Sequence, residues 1–263
     1  MSQELIFNCT IIFVLGLILG SFSNVLIYRL PLDKKGILTG RSFCIFCKKK
    51  IQWFDNIPLI SILNLGGKCR HCKKKISPRY FFVELISAIS FVFLFISLDN
   101  YFEVIFYQIV FLILLTIIFI DQKHFIIPDE LNFTLIFLAI IHNFFISFNF
   151  SFNDNLLQSL IGGFVGFSVI WLIIYLYDKL KNIEAMGLGD AKLMAALGFF
   201  FGWQSIPFII FFASIIGLIL VLPSMINKQK NLRSEIPFGP SIIYASFIYF
   251  VKGQQIIDFL LEY

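Results

Sequence analysis

Long apolar stretches dominate this sequence, and they constrain its fold more than any other feature. A helix needs about 20 apolar residues to cross the hydrocarbon core of a bilayer. The first stretch, 5–27, contains no charged residue. Seven more follow, at 80–98, 102–120, 131–148, 157–177, 191–203, 206–226 and 238–261. The pattern predicts an all-α polytopic membrane protein with about eight transmembrane helices, of which the sixth is short.

The composition excludes a soluble domain and a disordered chain. Hydrophobic residues make up 59% of the chain and charged residues 14%, against about 45–50% and about 25% in soluble domains. So few charges cannot keep that much apolar surface soluble in water, and so apolar a chain does not stay disordered. The acidic residue Glu4, rather than a basic segment, precedes the first stretch. The stretch also exceeds the apolar core of a signal peptide, so we expect a permanent helix.

The charged residues are distributed unevenly along the chain, and their distribution predicts how the chain is oriented in the membrane. Residues 29–79 contain thirteen Lys and Arg and two acids, whereas the remainder contains eight bases and fourteen acids. A basic block between apolar stretches marks a cytoplasmic loop more often than a nucleic-acid surface, so we expect no nucleic-acid partner. Alternating the crossings then places 121–130, 178–190 and 227–237, which carry further cations, on the cytoplasmic side. Both termini are predicted to lie outside.

The basic loop holds four of the five cysteines as two pairs. The pairs read Cys44-Ile-Phe-Cys47 and Cys69-Arg-His-Cys72. Two such turns can direct four thiolates at one tetrahedral zinc ion, and a reducing cytoplasm disfavours the alternative of disulfides. Because four cysteines fill the coordination sphere, we expect a structural zinc site rather than a catalytic one. His71 is a less favoured ligand, and Cys9 is interpreted as a buried small hydrophobe.

Two aspartates are placed at the predicted cytoplasmic rim of the helices. Asp121 ends the third stretch, and Asp190 opens the sixth within Gly187-Leu188-Gly189-Asp190-Ala191-Lys192. Two carboxylates in a small, partly dry site cannot both ionise easily, so one keeps its proton, as in aspartic proteases. Gly187 and Gly189 would let a substrate backbone approach Asp190 closely.

Each of these residues also has a simpler interpretation. A single aspartate at a helix end is usually a cap or the partner of a lysine, and Asp129 is another such residue. Lys192 either interacts with Asp190 or extends to the membrane interface. Glu84 and Glu103 are interpreted as polar packing contacts, and His142 is assigned no role.

The sequence resembles the bacterial type IV prepilin peptidases over nearly its whole length. The matching motifs are Gly20-Ser21-Phe22-Ser23-Asn24-Val25, Tyr28-Arg29-Leu30-Pro31, both cysteine pairs, Asp55-Asn56-Ile57-Pro58, Asp121 with Ile127-Pro128-Asp129, Gly187-Leu188-Gly189-Asp190-Ala191-Lys192 and Ile236-Pro237-Phe238-Gly239-Pro240. The resemblance implies a GxGD-type membrane aspartic peptidase with Asp121 and Asp190 as the catalytic pair. It divides the chain into a first transmembrane helix (1–28), a zinc-binding loop domain (29–79) and a transmembrane peptidase domain (80–263).

The resemblance also implies substrates and a second activity. Its members cut prepilins and pseudopilins of type IV pilus and type II secretion systems at the cytoplasmic face of the inner membrane. Members with the four-cysteine loop typically also methylate the new N terminus, using S-adenosylmethionine. The sequence has no soluble-type glycine-rich methyltransferase motif, so it does not place the methyl-donor site. The basic loop is expected to contact anionic lipids rather than the basic leader.

Two other functions fit parts of the sequence. One is a peptidase without methyl transfer, in which the zinc loop is purely structural. The other is a zinc-stabilised membrane scaffold or transporter, but a transporter is expected to place its ionisable groups near the membrane midplane, often in repeated halves. The predicted rim position of Asp121 and Asp190 therefore favours the peptidase.

Overall fold

The fold is described by a computed structural model that covers residues 3–32, 41–147, 152–181, 186–226 and 237–261. These residues form nine α-helices: α1 Gln3–Arg29, α2 Ile60–Asn64, α3 Arg79–Ser97, α4 Tyr101–His124, α5 Asp129–Ser147, α6 Phe152–Lys181, α7 Leu188–Phe201, α8 Ser205–Ile226 and α9 Gly239–Leu261. Short 3-10 helices occupy Leu30–Leu32 and Trp53–Asn56. Within the same residues, β pairing is limited to two isolated bridges.

The all-α membrane architecture is confirmed. The eight long helices coincide with the eight apolar stretches, and five described segments are long and apolar enough to cross a membrane. These segments are Gln3–Leu32, Arg79–Ser97, Tyr101–His124, Leu156–Leu180 and Ser205–Leu222. Helix α7 has 14 residues, about 21 Å at 1.5 Å per residue, which is shorter than the hydrocarbon core. Eight complete crossings therefore stay a prediction, and the cationic loop at 227–236 lies outside the described residues.

The chain divides into two compact units, Met1–Thr116 and Ile117–Tyr263, with the division inside α4. In the first unit, α1 packs against α3 through small residues. A Cβ added at Gly16 would lie 2.6 Å from the Ala88 Cα atom, so the two backbones can approach this closely only because glycine is present. The Ser87 hydroxyl donates a hydrogen bond of 2.8 Å to the Gly16 carbonyl across this contact.

Two buried polar residues of the first unit hold α1 and the loop against the start of α3. The Asn24 side-chain amide donates to the Tyr80 carbonyl at 3.2 Å. Glu84, which is 4% exposed, accepts a hydrogen bond of 2.9 Å from the Leu59 N–H. Leu59 has a left-handed φ of 57°, a conformation that is costly for a side chain of this size. The Glu84 carboxylate therefore holds a strained loop residue against the first turns of α3.

In the second unit, close glycine contacts position α7. A Cβ added at Gly162 of α6 would lie 2.3 Å from the Gly198 carbonyl oxygen of α7. At the same end of α7, the Asn143 amide and the Ser159 hydroxyl each donate to the Phe199 carbonyl at 2.7 Å. Helices α5 and α6 thereby hold the last turn of α7, whose first turn carries Asp190.

Candidate active site and metal centre

Asp121 lies in the last turn of α4, and the end of that helix fixes its position. The helix is closed by Phe125, which has a left-handed φ of 56° and donates its N–H to the Asp121 carbonyl at 2.9 Å. This is the backbone conformation that commonly terminates a helix, although glycine is the usual residue there. The Asp121 side chain is 5% exposed. Its Oδ2 atom accepts a hydrogen bond of 3.0 Å from the backbone N–H of Gly239, 118 residues away in sequence.

Asp190 lies in the first turn of α7. This helix begins at Leu188, after Gly187 in an extended conformation, and the Asp190 N–H donates to the Gly187 carbonyl at 3.1 Å. The Asp190 side chain is also buried, at 9% exposed. A helix N terminus favours a negative charge, so the local structure suits a carboxylate here.

The fold brings the two aspartates together. Both belong to the unit Ile117–Tyr263, and they are close enough for the charge on Asp121 to act on Asp190. Ile127 packs beside a neighbour of each aspartate. A Cβ added at Gly189, which precedes Asp190, would lie 3.1 Å from the Ile127 Cβ, and one added at Gly239, which donates to Asp121, would lie 3.0 Å from the Ile127 Cδ1. Two buried carboxyl groups in one site can share a proton, so that one of them can act as an acid while the other acts as a base.

Asn132 of α5 is a site residue that the sequence reasoning did not identify. It is fully buried, and its side-chain amide donates to the Gly189 carbonyl at 3.2 Å. This contact joins α5 to the residue that precedes Asp190. The Asn132 Oδ1 atom has no partner among the described residues. The available signal was an asparagine inside an otherwise apolar stretch, because such a polar group needs a hydrogen-bond partner.

Lys192 pairs with Asp129 rather than with Asp190. Its ammonium lies 2.7 Å from Asp129 Oδ1, and the two side chains are 27% and 54% exposed. Asp129 is the first residue of α5, so the ion pair joins the starts of α5 and α7. The cation that follows Asp190 by two residues thus already has a carboxylate partner.

The four predicted metal ligands converge in the first unit. The sulfur atoms of Cys44, Cys47, Cys69 and Cys72 all lie within 4.8 Å of one another. The Cys44 and Cys72 sulfurs are 3.8 Å apart, which equals the edge of a tetrahedron with Zn–S bonds of about 2.3 Å. His71 and Cys9 are not part of this group. The donor set therefore fits a zinc ion.

The two cysteine pairs adopt the same local structure. Cys44 donates its N–H to Lys49 O and accepts at its carbonyl from the Lys48 N–H, and Cys69 makes the same bonds with Lys74 and Lys73. Lys48 and Lys73, which directly follow the second cysteine of each pair, have left-handed φ values of 56° and 57°. Each pair is thus a tight turn that directs both sulfurs to one side.

An ion pair joins the second turn to the segment before it. The Arg70 guanidinium donates two hydrogen bonds, of 2.8 and 2.7 Å, to the Asp55 carboxylate. These bonds hold the pKa of Asp55 below its usual value. The guanidinium also lies over the Phe54 ring, 5.2 Å from its centroid. Arg70 lies between Cys69 and Cys72 in the sequence. Its ion pair with Asp55 therefore connects the second cysteine turn to the 3-10 helix Trp53–Asn56.

Two family models match the chain. The bacterial peptidase A24 N-terminal domain matches residues 14–98, which contain both cysteine pairs. The type IV leader peptidase family matches residues 108–222, which contain Asp121 and Asp190. The two matches divide the chain into the same regions that hold the metal centre and the aspartate pair.

Several curated proteins are similar over nearly their full length, and each carries the name prepilin leader peptidase/N-methyltransferase. The protein from Aeromonas hydrophila is 30% identical over 94% of this chain and 91% of its own length. That from Vibrio cholerae is 37% identical over 90% and 94%, and that from Pseudomonas aeruginosa is 32% identical over 97% and 93%. No solved structure matches the chain.

Proposed function

This chain belongs to the type IV leader peptidase family, and we propose that it removes the leader peptide from type IV prepilins and pseudopilins and then N-methylates the new N terminus. The observation that carries the proposal is the convergence of Asp121 and Asp190, two buried carboxyl groups from separate helices. The names of the full-length relatives pair the same two activities.

In the proposed cleavage, the two aspartates divide the work of acid and base. The ionised carboxylate takes a proton from a water molecule, whose oxygen attacks the carbonyl carbon of the scissile peptide bond. The protonated carboxyl group donates its proton to the carbonyl oxygen. When the intermediate collapses, the C–N bond breaks and the leaving nitrogen gains a proton. That nitrogen becomes the new N terminus of the pilin.

The glycines around Asp190 suit a peptide substrate. A Cβ added at Gly187 would come no closer than 3.9 Å to another atom, so the backbone beside the carboxylate is open. A peptide bond must leave its helix before it can be attacked, and we propose that the substrate helix ends at this membrane edge. The cytoplasmic orientation of the site rests on the basic loop and on the bias of positive charge toward cytoplasmic loops.

We propose that the four cysteines hold one structural zinc ion. Four thiolates complete a tetrahedral site and leave no position for a substrate, so the ion would stabilise the loop rather than act on the peptide. We assign the loop domain to residues 29–79. Its cations offset the negative charge of a four-thiolate zinc centre.

We propose that S-adenosylmethionine, the methyl donor, is held by the first unit. When bound, it supplies an electrophilic methyl group. Two buried polar atoms there have no partner among the described residues, the Asn24 Oδ1 atom and the Arg79 Nε atom. Asn24 bonds to the carbonyl of Tyr80, the residue that follows Arg79 in the first turn of α3. An amide oxygen and a guanidinium suit the ammonium and carboxylate of an amino acid.

Methyl transfer is tested separately from cleavage. Purified enzyme, prepilin and labelled donor should give a labelled, shortened pilin, and equilibrium dialysis should show weaker donor binding for Asn24→Ala. Cleavage without transfer of label would show that the chain is a peptidase only.

The cleavage assignment is tested with Asp121→Asn and Asp190→Asn in a prepilin processing assay, after each variant is shown to reach normal membrane levels. We expect each to lose activity by about 10³-fold or more, because the two groups act as a unit. Asp129→Asn is the matched control, since Asp129 lies close in sequence but is exposed and paired with Lys192. Processing above a tenth of the wild-type rate in either buried variant would refute the assignment.

A further inference from the structure

We infer that Gly239 is a positioning residue for Asp121 and that only glycine can fill this role. The inference rests on the proposed peptidase function. Gly239 is the first residue of α9, and its backbone N–H donates to Asp121 Oδ2 at 3.0 Å in a buried contact. The motif Ile236-Pro237-Phe238-Gly239-Pro240, which contributes to the family resemblance, thereby gains a physical role that its sequence does not reveal.

The donor is one that the helix leaves available. The first four N–H groups of a helix have no partner within it, and they form its positive end. Pro240 follows Gly239 and has no N–H. Of the first two residues of α9, Gly239 is therefore the one with an N–H that can point at a carboxylate. This contact fixes one oxygen of Asp121 and so orients the other toward the reacting water.

The space around Gly239 explains the residue type. A Cβ at this position would lie 2.8 Å from Asp121 Oδ2 and 3.0 Å from Ile127 Cδ1. The first distance is shorter than a relaxed carbon–oxygen contact, so an added methyl group would displace the carboxylate. The second contact involves only the flexible end of a side chain, which can turn away. The two contacts therefore predict different consequences, and they can be separated by mutation.

The first test compares Gly239→Ala with the double variant Gly239→Ala/Ile127→Val. Valine lacks the Cδ1 atom, so the double variant relieves the contact with Ile127 but keeps the contact with Asp121. We expect kcat for prepilin cleavage to fall at least 100-fold in both variants while KM stays within twofold. Recovery of cleavage in the double variant would show that Gly239 serves packing alone and would overturn the inference.

Gly217→Ala is the matched control. A Cβ at Gly217 of α8 would meet the same end of α9, with Ser241 Oγ at 3.3 Å and Phe238 at 3.8 Å, but it would not meet Asp121. We expect this variant to cleave within about threefold of wild type. An equal loss in Gly217→Ala and Gly239→Ala would point to the packing of α9 instead of the carboxylate.

A second measurement removes the donor without adding any atom. Glycolic acid at position 239 replaces the amide with an ester and eliminates the N–H. Loss of a hydrogen bond to a charged group should lower kcat by about 10- to 100-fold. An unchanged kcat would overturn the inference even if Gly239→Ala does not fold. Failure of the peptidase function itself would appear differently, as undiminished cleavage by Asp121→Asn.

Discussion

The Lys192 ammonium lies 2.7 Å from the Asp129 carboxylate and so joins the first turns of α5 and α7 beside Asp190. Because the two side chains are 27% and 54% exposed, water screens the pair, and we expect a contribution of at most about 1 kcal/mol. Lys192→Gln and Asp129→Asn should each lower the cleavage rate by no more than about fivefold. The measurement is prepilin processing at equal enzyme levels. A loss of 100-fold in either variant would give the pair a direct part in the chemistry.

The two glycines that precede Asp190 are expected to respond differently to alanine. At Gly189 a Cβ would lie 3.1 Å from Ile127 Cβ, whereas at Gly187 the nearest atom is 3.9 Å away. Gly189→Ala should lower the thermal midpoint and the cleavage rate, because the start of α7 must move. Gly187→Ala should keep the wild-type midpoint and raise KM, because its methyl group occupies the open side of the site. Equal thermal midpoints for the two variants would contradict this difference in packing.

Metal analysis checks the four-cysteine centre. Protein purified without a chelator should contain about one zinc per chain, and Cys44→Ser should lower this content and the stability of the loop. Cys9→Ser is the control, because Cys9 is not part of the sulfur cluster. Chelation should expose the loop to protease while affecting prepilin cleavage less than Asp121→Asn does. Full zinc content in both Cys44→Ser and Cys69→Ser would rule out the assigned ligands.

The left-handed lysines of the metal turns predict a stabilising substitution. Lys48 and Lys73 have φ values of 56° and 57°, which cost a non-glycine residue about 1 kcal/mol. Lys73→Gly should therefore make the loop hold zinc against a competing chelator more strongly. Lys74→Gly removes the same charge from a residue without a positive φ, so it is the matched control and should not improve retention. If Lys73→Gly retained zinc less well than Lys74→Gly, the left-handed conformation of Lys73 would not be a source of strain in the loop.

Local sequence patterns predicted a large part of this molecule. Apolar stretches specify helices in a bilayer because a spanning segment must satisfy its backbone hydrogen bonds internally, and the eight long helices coincide with those stretches. The pairs Cys44–Cys47 and Cys69–Cys72 likewise contain the turns that direct their sulfurs. The resemblance to a family supplied the chemical meaning of Asp121 and Asp190.

The partners of these residues were not predictable from local patterns. Asp121 accepts from Gly239, 118 residues away, and Gly189 accepts from Asn132, 57 residues away. Lys192 had a nearby carboxylate in sequence, yet it pairs with Asp129, 63 residues away.

The sequence by itself determined which segments are helical, where the cysteine turns lie and which family the chain resembles, because hydropathy and short spacings act over a few residues. Only the tertiary structure decided that the N–H of Gly239 contacts Asp121 and that Ile127 packs between the two glycines beside the carboxylates. Such contacts depend on the backbone distance between packed helices, and that distance is set by glycine pairs such as Gly162 and Gly198. A one-dimensional pattern contains no such distance.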